Sequence, residues 1–539
     1  MKVLIINTHD IKGGAAKAAY RLHQALNESG ASSKMLVRSK DSMDPSVIAL
    51  DDIYKGRAAF FDALPSYNYQ KVEHQLFSSA MVTNPILLDF INESDADIVH
   101  IHWIALGFLS LEDVFQINKA VVFSLHDMWL FTGGCHYSQD CQLYQNSCQR
   151  CPSLKSLDDN DLSSINFVRK LQLFNSRPDV TIIGLSQWIA QEATKSAILH
   201  NSNIKQLPNP VNTDVFRPVD KILARQTLGL SLEKPIILFA ADGGTRDPRK
   251  GYHYLNAILS GTLATRQLHV VTFGNRNTQK IEKGLHTLEH LPTIDAEEQI
   301  VLLLNAADVV VLPSIQENLS NLVLESLSCG TPVVAFDIGG NSDMIRHLDN
   351  GYLASFADSQ DLAEGIRWGL SHKFNPEAIR QRILENFSYD VVAAKYMTLY
   401  RSLNYETQLY TDTTFPNLLK ATNNSQFEWT TAQLENWIID LCLLKQPFFI
   451  YGFGILGRYL QLKLAKYCVA VIDQNFTRYK TQNSTIEFYG IDYLNELSNA
   501  LILVSIYDPD CTIRSSIENR VKSNCKVLSL FESFTVQEK

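Results

Sequence analysis

Short apolar runs alternate with longer amphipathic segments along most of the chain. The runs at residues 3–6, 121–125 and 309–312 are rich in valine, isoleucine and leucine, and polar or glycine-containing loops follow them. Continuous apolar runs of this length are typical of strands buried on both faces of a parallel sheet. Because helix-length segments separate them, the pattern predicts an α/β fold with parallel sheets and crossover helices.

Breaks in this alternation predict the domain organisation. A proline-rich stretch at 205–218 separates two α/β halves, and a polar stretch follows residue 403. Prolines without helix-forming neighbours make a stiff connector between moving parts. The predicted parts are an N-terminal domain at 1–205, a second domain at 206–385, a closing helix at 386–403, a linker at 404–445 and a small Rossmann-like domain at 446–539.

Composition and charge restrict the class of protein. A hydrophobic content of 45% with 19% charged residues is ordinary for a soluble globular chain. A net charge of −9 argues against a nucleic-acid-binding protein, which normally has a basic domain. The first residues read as a β-strand, and Asn305 and Asp308 interrupt the longest apolar region. We therefore expect a cytoplasmic protein, with contact to the inner face of a membrane left open.

The most informative stretch follows the strand at 309–312. A short helix with Asn318 and Ser320 as N-cap candidates is predicted to reach Cys329, before the next strand begins at 333. Glu317 lies in the loop and Glu325 inside the helix. Free N–H groups at a helix N-terminus attract a diphosphate, and carboxylates accept hydrogen bonds from sugar hydroxyls. The alternative is two solvated glutamates on a surface helix.

This stretch, SIQENLSNLVLESLSCGTPVVA, resembles the donor-site signature of retaining glycosyltransferases of family four. The resemblance covers about residues 1–403 and implies a GT-B fold, in which two Rossmann-like domains face each other across a cleft. It implies that Glu317 contacts the donor sugar and Glu325 the ribose of a nucleoside diphosphate. Asn318, Leu319 and Ser320 are the donor-binding residues expected between them. The helix at 386–403 would pack back on the first domain.

The same resemblance assigns residues in other loops. Gly14, in a glycine pair after the first strand, would face the donor diphosphate, and Lys250 would bind its phosphates. His126, at a strand end, would lie beside the transferred sugar. Gly274 would lie where the base is seated. His102, at the end of a neighbouring strand, is a candidate for the acceptor wall together with Trp103.

One position departs from the family pattern. A second phosphate-binding arginine is usual about six residues before the Lys-Gly pair, where this chain has Gly244. Arg246 and Arg249 are the two candidates to replace it, because a guanidinium suits a diphosphate. The sequence does not decide between the two arginines. Arg249 is the one that we predict to bind the donor.

Four cysteines fall within one short segment, at Cys135, Cys141, Cys148 and Cys151. The last two form a CxxC pair, a spacing that lets two thiolates bind one tetrahedral zinc ion. The separation of the first two is wider than in most zinc knuckles. Structural zinc is one prediction, and two disulfides or free thiols are the alternatives. No cofactor is expected for catalysis itself.

The last part contains a second recognisable pattern. A strand is predicted near 448–451, followed by GxGxxG at 452–457 and by Asp473 at the end of the next strand. These are the places of the phosphate-binding glycines and the ribose-binding acid of a Rossmann fold. The predicted domain at 446–539 has fewer than 100 residues, which is short for a full dinucleotide-binding fold. Nucleotide binding and a docking or self-association role are therefore both open.

The sequence thus predicts a retaining glycosyltransferase. The donor would be a UDP- or GDP-linked sugar, and the acceptor a glycan, a lipid-linked molecule or a protein. Residues 40–95 are the candidate acceptor or membrane-contact region. The alternative functions are a sugar-nucleotide epimerase and a non-catalytic scaffold that recruits partners through residues 446–539.

Overall fold

The computed structural model describes residues 1–50, 55–67, 69, 72, 75–177, 179–240, 245, 247–275, 277–411, 448–451, 468–472, 487–489, 491–497, 501–504, 516–521 and 525–529. The chain forms two compact units, residues 1–404 and 405–539. Among the described residues, no helix has the length and apolar character needed to cross a membrane.

The first half of unit 1 is built on a seven-stranded parallel sheet in the order β3-β2-β1-β4-β5-β6-β7. The order reverses between β1 and β4, and ligands of open α/β sheets bind outside the carboxyl ends of the strands at such a point. The strands are β1 Lys2–His9, β2 Ser32–Ser39, β3 Val47–Ala49, β4 Ile98–Ile101, β5 Ala120–Leu125, β6 Thr181–Gly184 and β7 Asn203–Gln206.

Helices cover both faces of this sheet, because its central strands are buried throughout. The first helix is amphipathic, with alanines and leucines at helical spacing on its buried face. The helices are α1 Gly14–Glu28, α2 Lys55–Ala63, α3 Pro85–Glu93, α4 Leu111–Val114, α5 Leu162–Ser176 and α6 Gln187–Lys195.

The second half has its own seven-stranded sheet, in the order β10-β11-β9-β8-β12-β13-β14. All neighbours are parallel except the β10–β11 hairpin. The strands are β8 Ile236–Ala240, β9 His269–Asn275, β10 Gln279–Lys283, β11 His286–Pro292, β12 Val309–Leu312, β13 Val333–Phe336 and β14 Gly351–Ala354. The helices are α7 Lys221–Leu228, α8 Tyr252–Ser260, α9 Glu297–Ala306, α10 Asn321–Ser328, α11 Asn341–Met344, α12 Ser359–Ser371 and α13 Pro376–Phe387.

A long helix, α14 Tyr389–Thr411, returns the chain to the first half. Its Tyr396 and Tyr400 are completely buried, and the Tyr400 hydroxyl lies 2.6 Å from Nδ1 of His100 on β4. The Tyr389 hydroxyl is 3.0 Å from the Gln24 side chain on α1. The helix extends to Thr411, past the end of the predicted closing helix and into the predicted linker.

Unit 2 has a five-stranded parallel sheet in the order β17-β16-β15-β18-β19. The strands are β15 Phe448–Tyr451, β16 Cys468–Ile472, β17 Glu487–Tyr489, β18 Leu501–Val504 and β19 Lys526–Ser529. With β15 at the centre and the order reversing beside it, this is a Rossmann-like arrangement. The predicted GxGxxG at 452–457 and Asp473 lie outside the described residues.

Candidate functional site

The loop between β12 and α10 carries most of the predicted donor-site residues. α10 begins at Asn321 with Ser320 as its N-cap, and no side-chain hydrogen bond caps its first turn. The backbone N–H groups of that turn therefore lack a side-chain acceptor and can meet an anion. Asn318, the other predicted N-cap candidate, does not cap α10 and instead hydrogen-bonds to the first half of unit 1.

Asn318 joins the two halves of unit 1. Its Nδ2 donates to the carbonyl oxygens of Leu125 and His126, at 2.8 and 3.1 Å, and its Oδ1 accepts the Ser186 hydroxyl at 2.6 Å. Asn318 is almost fully buried. Because its amide is satisfied from β5 and from the start of α6, it fixes the loop against the strand end that carries His126.

A lysine and a glutamate of the predicted site pair with each other. Lys250 Nζ lies 2.7 Å from Glu317 Oε2, and both side chains keep some exposure, 22% and 13%. Neighbouring Arg249 pairs with Asp247 at 2.7 Å and lies over the ring of Tyr137, at 5.8 Å. Its Nε is buried and has no hydrogen-bond partner in the part of the chain that the structure describes. Two cations thus lie beside the Glu317 loop, one with a free donor.

Glycines allow these loops to approach. Gly251 has φ +70°, and a Cβ there would lie 1.7 Å from the Pro313 carbonyl oxygen. Gly339 has φ +54°, and a Cβ there would lie 1.7 Å from the Glu317 carbonyl oxygen. Both positions need glycine for conformation and for space. The two glycines hold the loops that bear Lys250 and Glu317 in place.

The predicted ribose contact, Glu325, lies at the interface of the two halves. Its Oε1 is 2.8 Å from Arg21 on α1, and Glu297 pairs with the same guanidinium at 2.7 Å. Burial raises the pKa of Glu325, and the charge of Arg21 opposes that shift. Near this pair, Asn321 Nδ2 donates to the carbonyl oxygen of Gly14 at 3.0 Å. The N-termini of α1 and α10 therefore face each other.

A row of histidines runs from α14 to His126. Nδ1 of His100 lies 2.6 Å from the Tyr400 hydroxyl, and its Nε2 lies 2.8 Å from the Ser124 hydroxyl. Its ring lies 4.3 Å from the ring of His102, whose Nδ1 is 2.7 Å from His126 Nε2. Burial lowers the pKa of His126 to about 4 and that of His100 to about 3. These imidazoles are therefore neutral near pH 7.

The prediction that His102 lines an acceptor wall is wrong, because His102 is only 2% exposed and lies behind His126. Trp103 is partly exposed, at the end of β4. Asp127, next to His126, binds His136 Nδ1 at 2.6 Å. Burial alone would raise its pKa, but His136 and hydrogen bonds hold the pKa of Asp127 below its ordinary value. Asp127 thus connects the strand end to the cysteine segment.

The four cysteines line one small cavity of about 20 Å³, together with Thr132 and Tyr144. Gly133 N–H donates to Cys148 Sγ at 3.2 Å, and burial raises the pKa of Cys135 to about 12. All four are free thiols. Within the described ranges, no group of three or more His, Cys, Asp or Glu side chains has a geometry that could hold a metal ion. Zinc binding here would require a rearrangement of the four thiols.

The remaining predicted residues lie at the same edge of the second sheet. Leu319 is buried beside Asn318, and Gly274, with φ +93°, is near the end of β9. Arg246 and Gly244 lie outside the described residues. The contacts above bring together the loops and helix ends that carry Gly14, His126, Lys250, Glu317, Asn318, Ser320 and Glu325. For Gly274, the structure gives its position in β9 but no described contact with these residues.

Several residues of this site were missed by the sequence reasoning. Arg21 is buried although it is charged, and its position among the alanines and leucines of the apolar face of α1 was an available signal. Gly339 and Gly340 follow β13 as Gly13 and Gly14 follow β1, so the repeated pair was a second signal. Ser186 has no such signal, because only the fold brings it to Asn318.

Two sheets with crossover helices, facing each other through these loops, define the GT-B fold of glycosyltransferases. Comparison with known sequences agrees. The family model "Glycosyl transferases group 1" matches residues 234–372, which include Lys250, Glu317 and Glu325. The chain is therefore similar to group 1 glycosyltransferases over these residues, and the relatives below match longer stretches.

Two relatives and one solved structure show how far the likeness extends. An uncharacterized glycosyltransferase of Methanocaldococcus jannaschii is 23% identical over 332 residues, which cover 56% of this chain and 82% of the relative. D-inositol 3-phosphate glycosyltransferase of Acidothermus cellulolyticus is 29% identical over 217 residues, 37% of this chain and 48% of that protein. The structure of Anabaena HepE in complex with UDP-glucose covers 75% of this chain and 100% of its own, with 16% identity and a TM-score of 0.51.

Proposed function

We propose that this chain is a retaining glycosyltransferase that transfers a sugar from a nucleoside diphosphate to a glycan or lipid-linked acceptor. The observation that carries the proposal is the Lys250–Glu317 pair, held by Asn318 against the strand end of His126. A cation and a carboxylate thus lie next to an uncapped helix N-terminus, in a loop that Asn318 ties to the backbone of His126. This set matches the charges and hydroxyls of a sugar diphosphate.

The donor diphosphate would lie between the N-termini of α10 and α1, where Lys250 and the free Nε of Arg249 meet it. Negative charge develops on the diphosphate as the sugar leaves, and fixed donors at that position lower the barrier. Binding of the phosphates would take Lys250 from Glu317. The carboxylate would then be free to accept hydrogen bonds from the sugar.

The ribose would lie at Glu325. Its Oε1 pairs with Arg21, and its second oxygen remains as an acceptor for ribose hydroxyls. Because Arg21 belongs to the first half and Glu325 to the second, the pair also orients the carboxylate. The likeness of the fold to a UDP-glucose-bound structure supports a UDP-linked sugar as the first donor to test.

The first experiment tests donor binding. We expect one or more UDP- or GDP-sugars to raise the melting temperature of the full chain, because a ligand that binds only the folded state stabilises it. Lys250→Ala and Glu325→Ala should each weaken that binding by roughly tenfold to a hundredfold, since a hydrogen bond to a charged group contributes about 1.5–3 kcal/mol.

Lys221→Ala is the matched control for the lysine. Lys221 is also ion-paired, to Asp308, but that pair lies at the amino end of β12, the opposite edge of the sheet. Its removal should leave nucleotide-sugar affinity unchanged. Equal affinity of the Lys250→Ala variant and the wild type would contradict the donor site.

The second experiment tests the reaction. With a donor that binds, we expect nucleoside diphosphate release that depends on an acceptor, and a product whose anomeric configuration, read by NMR, equals that of the donor. Glu317→Ala should lower turnover while nucleoside diphosphate binding stays nearly intact, because Glu317 would face the sugar. Conversion of the nucleotide sugar without acceptor would indicate an epimerase. No binding of any nucleotide sugar would indicate a scaffold.

A further inference from the structure

The hydrogen bond between the His102 and His126 rings restricts which ring nitrogen of His126 can carry a proton. His102 Nδ1 and His126 Nε2 are 2.7 Å apart, so one of these nitrogens donates and the other accepts. Each neutral imidazole carries one N–H. The choice of donor therefore determines which nitrogen of His126 is protonated.

The environment of His102 decides the choice. Its Nε2 is buried and has no hydrogen-bond partner among the described residues. If His102 accepted at Nδ1, its proton would be on Nε2, as a buried N–H without an acceptor. Buried orphan N–H groups are rarer in proteins than under-satisfied acceptors. The alternative, donation from Nδ1 of His102, leaves only an unshared lone pair at Nε2.

With His102 donating, Nε2 of His126 is the acceptor and its proton must be on Nδ1. No described residue hydrogen-bonds to Nδ1 of His126, and the side chain is partly exposed, whereas His102 is buried. Nδ1–H of His126 is then a donor that no described residue accepts.

We propose that His102 is a positioning residue that holds His126 as the Nδ1–H tautomer, so that Nδ1–H donates to an oxygen of the bound sugar. The second part rests on the proposed function, while the tautomer does not. His102 touches no substrate and acts only through His126. The ring of His100, which hydrogen-bonds with Tyr400 and Ser124, lies 4.3 Å from the His102 ring at an interplanar angle of 39° and packs against it.

The tautomer is measured directly on the full chain labelled with 15N-histidine. Long-range 1H–15N NMR separates protonated from unprotonated ring nitrogens, and His126→Gln identifies the signals of His126. We expect a protonated Nδ1 and an unprotonated Nε2 in His126 near pH 7. A protonated Nε2 on His126 in the wild type would overturn the proposal, whatever the protein's activity.

Two variants of His102 form a matched pair. The amide nitrogen of His102→Asn lies near the place of Nδ1, whereas that of His102→Gln lies near the place of Nε2. We expect His102→Asn to retain most of kcat and the Nδ1–H tautomer of His126. His102→Gln should lower kcat at least tenfold with little change in the donor KM, because positioning of His126 matters for transfer and not for phosphate binding.

Equal kcat values and equal His126 spectra in the two variants would overturn the positioning role. If no nucleotide sugar binds but His126 has the expected tautomer, the proposed function fails and the His102 assignment stands for another ligand at the same nitrogen. Melting temperatures of both variants near that of the wild type exclude loss of folding as the cause.

Discussion

At the residue scale, the site depends on atoms that approach to contact distance. Gly339 and Gly340 follow β13 and lie under the Glu317 loop, with Gly340 N–H donating to the Asn318 carbonyl oxygen at 2.7 Å. A Cβ on Gly340 would lie 2.2 Å from that oxygen. The position of the Glu317 loop is therefore set by two residues that have no side chain.

This gives a prediction for Gly339. Gly339→Ala should reduce nucleotide-sugar binding and turnover by at least roughly tenfold, because the new methyl group would displace the Glu317 carbonyl. A left-handed backbone costs any alanine about 1–2 kcal/mol, which would lower stability as well. Calorimetry and donor titration measure the two effects separately.

Gly284→Ala is the control. Gly284 has φ +61°, close to the +54° of Gly339, but a Cβ there meets nothing within 4 Å. It should lose similar stability and keep donor affinity. The same loss of affinity in both variants would mean that general destabilisation, and not the Glu317 loop, is the cause.

At the element scale, the segment from Cys135 to Cys151 connects to the strand end of His126. Asp127 reaches His136 in this segment, and Lys170 on α5 donates to the Thr132 carbonyl at 3.0 Å. Lys170 is completely buried, and burial lowers its pKa to about 7. Its cation lies over the Trp129 ring, at 4.2 Å. The geometry of this segment therefore bears on the position of His126.

Zinc in this segment stays a prediction. If the four thiols rearrange to hold zinc, protein purified without a metal-affinity tag should carry about one zinc ion per chain, as one tetrahedral site implies. Removal by a chelator should lower the melting temperature, since metal-binding energy is local folding energy. Elemental analysis with thiol titration of the unfolded chain measures this; the absence of zinc with all nine cysteines titratable would leave a segment held by packing alone.

At the scale of the whole molecule, α14 and the histidine row tie both halves of unit 1 together. α14 follows the last helix of the second half and buries Tyr396 and Tyr400 against the first sheet. Asn318 and Arg21 add polar links between the halves on the other side. His100 is buried where α14 packs on β4.

We therefore expect unit 1 to lose stability as pH falls from about 6.5 toward 4. Histidines in the unfolded chain bind protons near pH 6.5, whereas burial lowers the pKa of His100 to about 3 and of His126 to about 4. The unfolded state thus binds more protons in this window, and stability rises with pH across it. Melting temperatures measured between about pH 7 and pH 5 test this.

His100→Asn should flatten this dependence, and His200→Asn, at an exposed histidine, should leave it unchanged. A melting temperature that is constant across the window, or an equal slope in both variants, would show that the histidine row does not set the acid response of the fold.

Local pattern determined much of this protein by itself. Strands that are covered on both faces are short and rich in β-branched residues. The apolar pattern of the sequence therefore predicted β1, β5, β12 and β13. The glycine pairs, Glu317 and Lys250 lie in the connections that follow strands, Glu325 lies in the helix after one of them, and the carboxyl ends of parallel strands share one edge. The topology of the sheets therefore predicts that these residues lie close together, and the resemblance to the glycosyltransferase family supplied the role expected of each.

Tertiary structure decided the partners. Arg21 lies far from Glu325 in sequence and Ser186 far from Asn318, and only the packing of two sheets brings them within hydrogen-bond distance. His102 was predicted as a candidate for the acceptor wall because ligands bind at the carboxyl ends of the strands in an open α/β sheet. It is buried between His100 and His126 instead, and its burial, which no local pattern encodes, determines which nitrogen of His126 carries the proton.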